Sequence, residues 1–280
     1  MNLCDELTIR MLLERHGFHF SKSMGQNFLI DPQIPADIAA ASQADETCGV
    51  LEIGPGIGPL TSELAQRAGK VVSIELDRAL LPILAETMAP YSNVEIVPGD
   101  VTRLDLKALI GEKFAGLRPI VCANLPYNIT TPVLTALVDI PAIESITVLI
   151  QKEAAQRLLA ASSTPEYGPL AIRAQYYTQP RVARIVGAAC FTPPPKVDSA
   201  FVCMPWRDQP AVQVGDEARF FRIVNAAFAL RRKTLCNNLT SAFHLTREEA
   251  LAWIARAGLP ENIRGEALSL QQFADLANAE

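Results

Sequence analysis

The 280-residue chain contains no uninterrupted apolar run approaching the roughly 18–20 residues that a membrane span requires. Its six cysteines, Cys4, Cys48, Cys122, Cys190, Cys203 and Cys236, include no Cys-x-x-Cys pair. The three histidines, His16, His19 and His244, do not stand beside them at ligand spacing. A zinc site and a disulfide framework are therefore not expected, and the thiols read as reduced and mostly buried. The opening residues, Met1 to Glu6, carry acids where a secretion signal carries a basic and then an apolar segment. These absences lead to the expectation of a soluble cytoplasmic protein with no metal and no membrane partner; separately, a monomer is expected.

Acid is missing from two stretches in particular. Tyr167 to Val197 holds Arg173, Arg181, Arg184 and Lys196 but no Asp or Glu. Ala218 to Arg247 holds Arg219, Arg222, Arg231, Arg232, Lys233 and Arg247, again with no acid. A formal net charge of -5 argues against nucleic acid when summed over the chain. Its distribution points the other way, to a local positive field on an otherwise acidic body.

What is present is a repeated alternation. Short apolar bursts at Gly49–Ile53, Lys70–Ile74, Asn93–Val97, Pro119–Ala123 and Ser145–Ile150 read as buried strands. Leu60–Ala68, Arg78–Met88 and Pro132–Val138 between them carry helical spacing. The pattern predicts an α/β fold with a parallel sheet covered on both faces. Ala171–Tyr177 and Ala200–Met204 are candidates for later strands. Two prolines bracket polar residues in Pro205–Pro210, which reads as a linker. Beyond it, Glu217–Leu230, Leu235–Ala242, Arg247–Ala257 and Ser269–Ala279 predict a smaller all-helical C-terminal domain. The expected boundaries are residues 1–206 and 207–280.

The first strand runs into Glu52-Ile-Gly54-Pro-Gly56-Ile-Gly58-Pro59. These glycines permit a tight turn and close approach of a ligand to the backbone. Pro59 occupies the position where a dinucleotide fingerprint carries its third glycine, so that fingerprint fails. Glu75 ends the second strand about 20 residues on, where an acid grips ribose hydroxyls. Asp100 follows the third strand and Asn124 the fourth. Carboxyl ends of strands in an open sheet line one crevice, so Gly54, Glu75, Asp100 and Asn124 are expected around a common ligand. Two acids without a matching base suit a nucleoside without phosphates, and S-adenosyl-L-methionine fits better than NAD.

Asn124-Leu-Pro-Tyr127 suits methylation of an exocyclic amine. The nitrogen lone pair is delocalised into its ring, and two acceptors, the Asn124 side-chain oxygen and the Leu125 carbonyl, can hold its protons and favour a pyramidal nitrogen. Pro126 stiffens the turn, and Tyr127 offers a flat face on which the target base stacks. Phe18–Leu29 reads as a lid with Gly25 as its hinge. In the proline-rich segment Phe191–Ser199, Phe191 is placed to cover the other base face.

Gly25-Gln-Asn-Phe-Leu29, Glu52-Ile-Gly-Pro-Gly56, Ile74-Glu-Leu-Asp77, Asn124-Leu-Pro-Tyr-Asn-Ile129, Phe191-x-Pro-Pro-Pro-Lys-Val-Asp-Ser199 and Arg231-Arg-Lys-Thr-Leu235 occur in that order. Together they resemble the bacterial small-subunit ribosomal RNA adenine dimethyltransferases (KsgA type). The resemblance implies a Rossmann-like class I methyltransferase sheet, an N-terminal lid and a helical RNA-recognition domain. It implies four methyl transfers from S-adenosyl-L-methionine to two adjacent adenines near the 3′ end of small-subunit rRNA, within an immature 30S-type particle, as part of ribosome biogenesis. Cofactor contacts map onto Asn27, Leu29, Gly54, Gly56, Glu75, Asp100 and Asn124. The catalytic corner maps onto Asn124, Leu125, Pro126 and Tyr127, with Phe191 as second stacking face. RNA contacts are expected at Lys22, Lys196, Arg231, Arg232 and Lys233. Two departures stand out: only Lys22 is basic in the segment just before Gly25, and Val101 follows Asp100 where relatives carry a smaller residue. Alternatives of other classes are a large-subunit rRNA adenine methyltransferase of the macrolide-resistance type and a non-catalytic ribosome-assembly or transcription factor on the same fold.

Overall fold

The computed structural model describes residues 1–19 and 26–279. Gly25, the expected hinge, and Lys22 lie outside the described residues, as does half of the segment read as a lid. The chain forms two compact units: Met1–Ala155 with Pro180–Trp206, and Gln156–Gln179 with Arg207–Glu280. The sequence reading placed residues 156–179 in the first domain. The structure moves them to the second, because Tyr167, Ala171, Ile172 and Tyr176 are buried in its hydrophobic core.

In chain order the elements are α1 (Glu6–Arg15), β1 (Phe28–Leu29), α2 (Gln33–Ala41), β2 (Cys48–Ile53), α3 (Pro59–Ala65), β3 (Lys70–Glu75), α4 (Leu81–Thr87), β4 (Val94–Pro98), α5 (Leu106–Lys113), β5 (Arg118–Asn124), α6 (Thr130–Leu137), β6 (Ser145–Gln151) and α7 (Lys152–Leu158). Then come α8 (Pro169–Tyr177), β7 (Arg181–Val186), β8 (Phe191–Thr192), β9 (Ser199–Pro205), α9 (Glu217–Ala229), α10 (Leu235–Phe243), α11 (Arg247–Arg256) and α12 (Leu270–Asn278).

The first unit is built on a seven-stranded sheet in the order β4-β3-β2-β5-β6-β9-β7. The first five strands are parallel, as the apolar bursts predict. Every residue of β2 is buried, including Glu52, which is what a strand covered on both faces requires. The sheet is mixed rather than all parallel, because β9 runs antiparallel to both β6 and β7. The link from β7 to β9 carries no α-helix, and an antiparallel neighbour needs no crossover. The expected later strand at Ala200–Met204 is β9. Strand β7 went unread: five of its six residues are exposed, so it leaves no apolar run.

The segment Ala171–Tyr177, read as a strand, is helical and belongs to α8. Pro169 sits in its first turn, where a missing N–H costs nothing. The ring of Tyr176 then stacks on Phe220 at 5.1 Å, and packing overrides the strand preference of Ile and Tyr. The remaining helices of the second unit follow their sequence signals. Asp216 caps α9 through the Arg219 amide at 3.0 Å. Thr246 and Glu249 form a reciprocal capping box at α11, and Ser269 and Gln272 form another at α12. Gly258, with φ of 69°, follows α11 as the predicted stop. None of the described helices is long and apolar enough to cross a membrane.

Candidate active site

The tips of β2, β3, β4 and β5 open onto one cleft of about 330 Å³ in the first unit. Asn27, Leu29, Gly54, Gly56, Glu75, Asp100, Asn124, Leu125, Pro126, Tyr127 and Phe191 all line it. The structure thus gathers residues from six separated sequence segments, in the crevice that strand-tip geometry prescribes.

The glycine turn forms the floor. Gly54 and Gly56 have φ values of 70° and 63°, a region that a side chain strains. A Cβ on Gly54 would lie 3.3 Å from the Pro126 ring, so the turn and the Asn124–Tyr127 corner are fitted to one another.

Beneath that floor lies Glu52, which is 1% exposed. One of its oxygens accepts from the Thr61 hydroxyl at 2.7 Å and the Ser73 hydroxyl at 2.6 Å. It links β2 to β3 and to the first turn of α3. Burial pushes its pKa up to about 7, the two hydroxyls opposing the rise. No functional role was read for Glu52 in the sequence. Its signal was a lone acid inside a strand otherwise apolar enough to be buried on both faces.

Glu75 ends β3 and is 6% exposed. Burial raises its pKa to about 7, against hydrogen bonds from backbone amides including those of Asp77 and Gly56. The Asp77 amide donates to it at 2.7 Å, and Gln26 donates to Asp77 at 2.7 Å. Asp100 differs: its carboxyl is held below the usual range, first by the Thr102 hydroxyl at 2.6 Å and then by the Thr102 amide. Arg103 lies 3.4 Å from its other oxygen. The Gly99 amide donates to the Glu75 carbonyl at 2.9 Å and ties the tips of β3 and β4 together.

Asn124 ends β5 and is half-buried at the cleft. Among the described residues no group hydrogen-bonds its side-chain amide. Leu125 is 1% exposed, and its amide is spent on the Leu149 carbonyl at 3.0 Å. That bond anchors the corner to β6. Pro126 leads into a single 3-10 turn, Tyr127–Ile129, and its carbonyl accepts from Thr130 at 3.1 Å. Tyr127 is half-buried, which raises the pKa of its phenol, and its hydroxyl shares a 2.8 Å hydrogen bond with Ser199.

Phe191 was expected to present a stacking face. It lines the cleft, but β8 pairs with β1 so that Phe191 lies opposite Leu29, and it is only 2% exposed. In this conformation it is cleft wall packed into the core. The basic residues also separate. Lys196, Arg232 and Lys233 are exposed, and none of them is ion-paired among the described residues. Arg231 is engaged within its own unit: it pairs with Glu266 at 3.0 Å and donates to the carbonyls of Pro165 and Tyr167.

The cleft fits a nucleoside carrying a positive charge. It offers a buried carboxylate for a diol, a second carboxylate and backbone for a base, and, among the described residues, no lysine or arginine for a phosphate. Open beside these is an uncommitted amide.

Comparison with known proteins gives a consistent result. The "Ribosomal RNA adenine dimethylase" family matches residues 17–279. The "Ribosomal RNA small subunit methyltransferase A" of Streptococcus gordonii is 47% identical over 285 residues, covering 100% of this chain and 98% of that protein. Its counterpart in Geobacillus sp. is 44% identical over 275 residues, covering 96% and 94%. Among solved structures, the 23S rRNA methyltransferase ErmE is 26% identical, with a TM-score of 0.66 over 90% of this chain and 99% of that one. A dimethyladenosine transferase from Plasmodium falciparum shares the fold, with a TM-score of 0.70 at 24% identity, covering 89% and 95%.

Proposed function

The chain belongs to the ribosomal RNA adenine dimethylase family, and from that premise we propose that it methylates the exocyclic amines of two adjacent adenines near the 3′ end of small-subunit rRNA. The small-subunit assignment is supported by relatives 44–47% identical over nearly the whole chain, against 26% for the large-subunit enzyme. The observation that carries the chemistry is the uncommitted Asn124 amide, which lines one cleft with the Glu75 carboxylate and Tyr127.

The residues fit S-adenosyl-L-methionine, which supplies an electrophilic methyl group on a sulfonium. Glu75 would accept hydrogen bonds from the ribose hydroxyls, Gly54 and Gly56 would let the ligand lie on the backbone, and Asp100 would hold the cofactor's adenine. Asn27 and Leu29 close the near side. The Asn124 oxygen and the Leu125 carbonyl accept hydrogen bonds from the two N–H groups of the target amine. The nitrogen lone pair is thereby turned toward the methyl carbon. Bound there, the donor would give its methyl group to that lone pair, the sulfonium leaving as a neutral thioether, and the surplus amine proton would pass to solvent. Tyr127 stacks on the extruded base, a contact worth roughly 1–3 kcal/mol. Leaving the RNA stack costs a few kcal/mol, less for a loop base. Positioning supplies most of the remainder.

The RNA is held by shape and backbone, with Lys196, Arg232 and Lys233 as exposed contacts. The substrate is an immature small-subunit particle in the cytoplasm, and the protein acts as a monomer. The test incubates the protein with labelled S-adenosylmethionine and immature small subunits, then maps label by mass spectrometry. Dimethylation of two adjacent adenines near the 3′ end is expected. No label on the small-subunit RNA, or label away from those two adenines, overturns the proposal.

A further inference from the structure

The motif Phe191–Ser199 ends in a residue that the chemistry above leaves unused. Ser199 opens β9 and is fully buried, yet its hydroxyl reaches the phenol of Tyr127, 72 residues away, at 2.8 Å. Its backbone is fixed on both sides. The preceding carbonyl, of Asp198, accepts from the Lys152 amide at 3.0 Å, and the Asp198 carboxylate accepts from the Ala188 amide at 3.1 Å. In the sheet, Ser199 is registered against Gln151 of β6 and Val186 of β7. Tyr127, by contrast, sits on a single 3-10 turn beyond the end of β5. A ring on so short a turn turns about two side-chain torsions unless its far end is tethered.

We propose that Ser199 is a positioning residue for methyl transfer: its hydroxyl anchors the Tyr127 phenol to the sheet and so fixes the plane on which the target base stacks. The inference rests on the reading of Tyr127 as the stacking face. The second transfer to each adenine depends on this plane more than the first. After one methylation the nitrogen is bulkier and has one proton left for the two acceptors, Asn124 and Leu125. Less of its orientation is then set by hydrogen bonds, and more by the stacked base. Loosening the ring therefore slows both transfers and releases monomethylated intermediate.

The experiment compares wild type, Ser199→Ala, Tyr127→Phe and the double variant on immature small subunits. Cofactor affinity is measured by calorimetry and folding by thermal melts. Ser199→Ala is expected to lower kcat about tenfold, leave the cofactor Kd within about twofold, and raise the fraction of N6-monomethyladenine. Tyr127→Phe keeps the ring but removes the tether, so it reproduces the same pattern. In the Tyr127→Phe background, Ser199→Ala then has no further effect on kcat or product ratio. Wild-type kcat and product ratio in Ser199→Ala overturn the proposal. So does an undiminished effect of Ser199→Ala in the Tyr127→Phe background, which would mark a purely structural hydroxyl. Absence of transfer by the wild-type protein is a different result, and sinks the methyltransferase reading itself.

Discussion

Glu75 makes cofactor affinity and unliganded stability respond to pH in opposite directions. Its carboxyl is raised from 4.5 to about 7 by burial. In the proposed role ribose hydroxyls would donate to it, so binding is expected to select the ionised form. With a pKa near 7, about nine-tenths of the groups are ionised at pH 8 and about one-tenth at pH 6. The Kd for S-adenosylmethionine is thus expected to rise about tenfold from pH 8 to pH 6, roughly 1.4 kcal/mol. Stability follows the other sign. A raised folded-state pKa means that the folded protein binds more protons than the unfolded chain between about 4.5 and about 7. The stabilisation is fully present below the unfolded pKa and is lost as pH rises through about 7. Each carboxylate of this kind costs the unliganded protein about 1 kcal/mol between pH 6 and pH 8, and Glu52 adds to Glu75 with the same sign. Calorimetric titrations and melts at half-unit intervals from pH 5.5 to pH 8.5 measure both. Glu75→Gln serves as the control. It is expected to weaken binding at pH 8 by roughly 10–100-fold, from the loss of charge-assisted hydrogen bonds. It should also flatten the affinity profile and reduce the pH dependence of stability. A wild-type Kd that is constant from pH 6 to pH 8, or a slope that survives Glu75→Gln, would refute the assignment.

Asn124→Ala is expected to abolish methyl transfer in a radiolabel assay while holding cofactor Kd within about tenfold, since it removes an acceptor needed chiefly as charge develops on nitrogen. Gly54→Ala places a Cβ at positive φ, 3.3 Å from Pro126; calorimetry should show weakened cofactor binding and melts a loss of about 1–2 kcal/mol. Arg231→Ala should lower the melting temperature, because the Glu266 carboxylate and two carbonyls lose their donor, a loss of about 1–2 kcal/mol. Arg232→Ala and Lys233→Ala should leave the melt unchanged and instead weaken RNA binding, each reducing the slope of log K against log salt by about 1.

The parallel part of the sheet was legible because each strand is a short, largely apolar run that ends at a turn or a polar residue. Burial and chemistry are adjacent in sequence there: Ile53 then Gly54, Ile74 then Glu75, Ala123 then Asn124. Strand β7 was illegible for the converse reason, since an edge strand with Arg181 and Arg184 outward and Val182 exposed carries no burial pattern. Helix α8 was misread because Ile172, Tyr176 and Tyr177 favour strands locally, while the partners that decide otherwise, Phe220 and Phe221, lie more than forty residues on. Glu52 and Ser199 share another limit. Both stood inside quoted motifs, but their roles depend on hydroxyl partners, Ser73 and Tyr127, that only tertiary structure brings within reach. The same holds for Arg231, one of three adjacent cations in sequence that face different neighbours once folded.

The path of the chain between the two units constrains how this protein can be made and cut. The chain leaves the first unit after Ala155, returns at Pro180 and leaves it again after Trp206. On the ribosome, Gln156–Gln179 emerges before any of α9 to α12 exists to cover Tyr176 and Ile172, so that loop of nascent chain must wait with apolar side chains bare. Strand β9, which completes the sheet between β6 and β7, emerges only after it. A truncation ending at residue 206 would freeze this interim state and should be prone to aggregate, whereas joining Ala155 to Pro180 by a short polar linker and stopping after Trp206 removes the stranded helix along with the core it lacks.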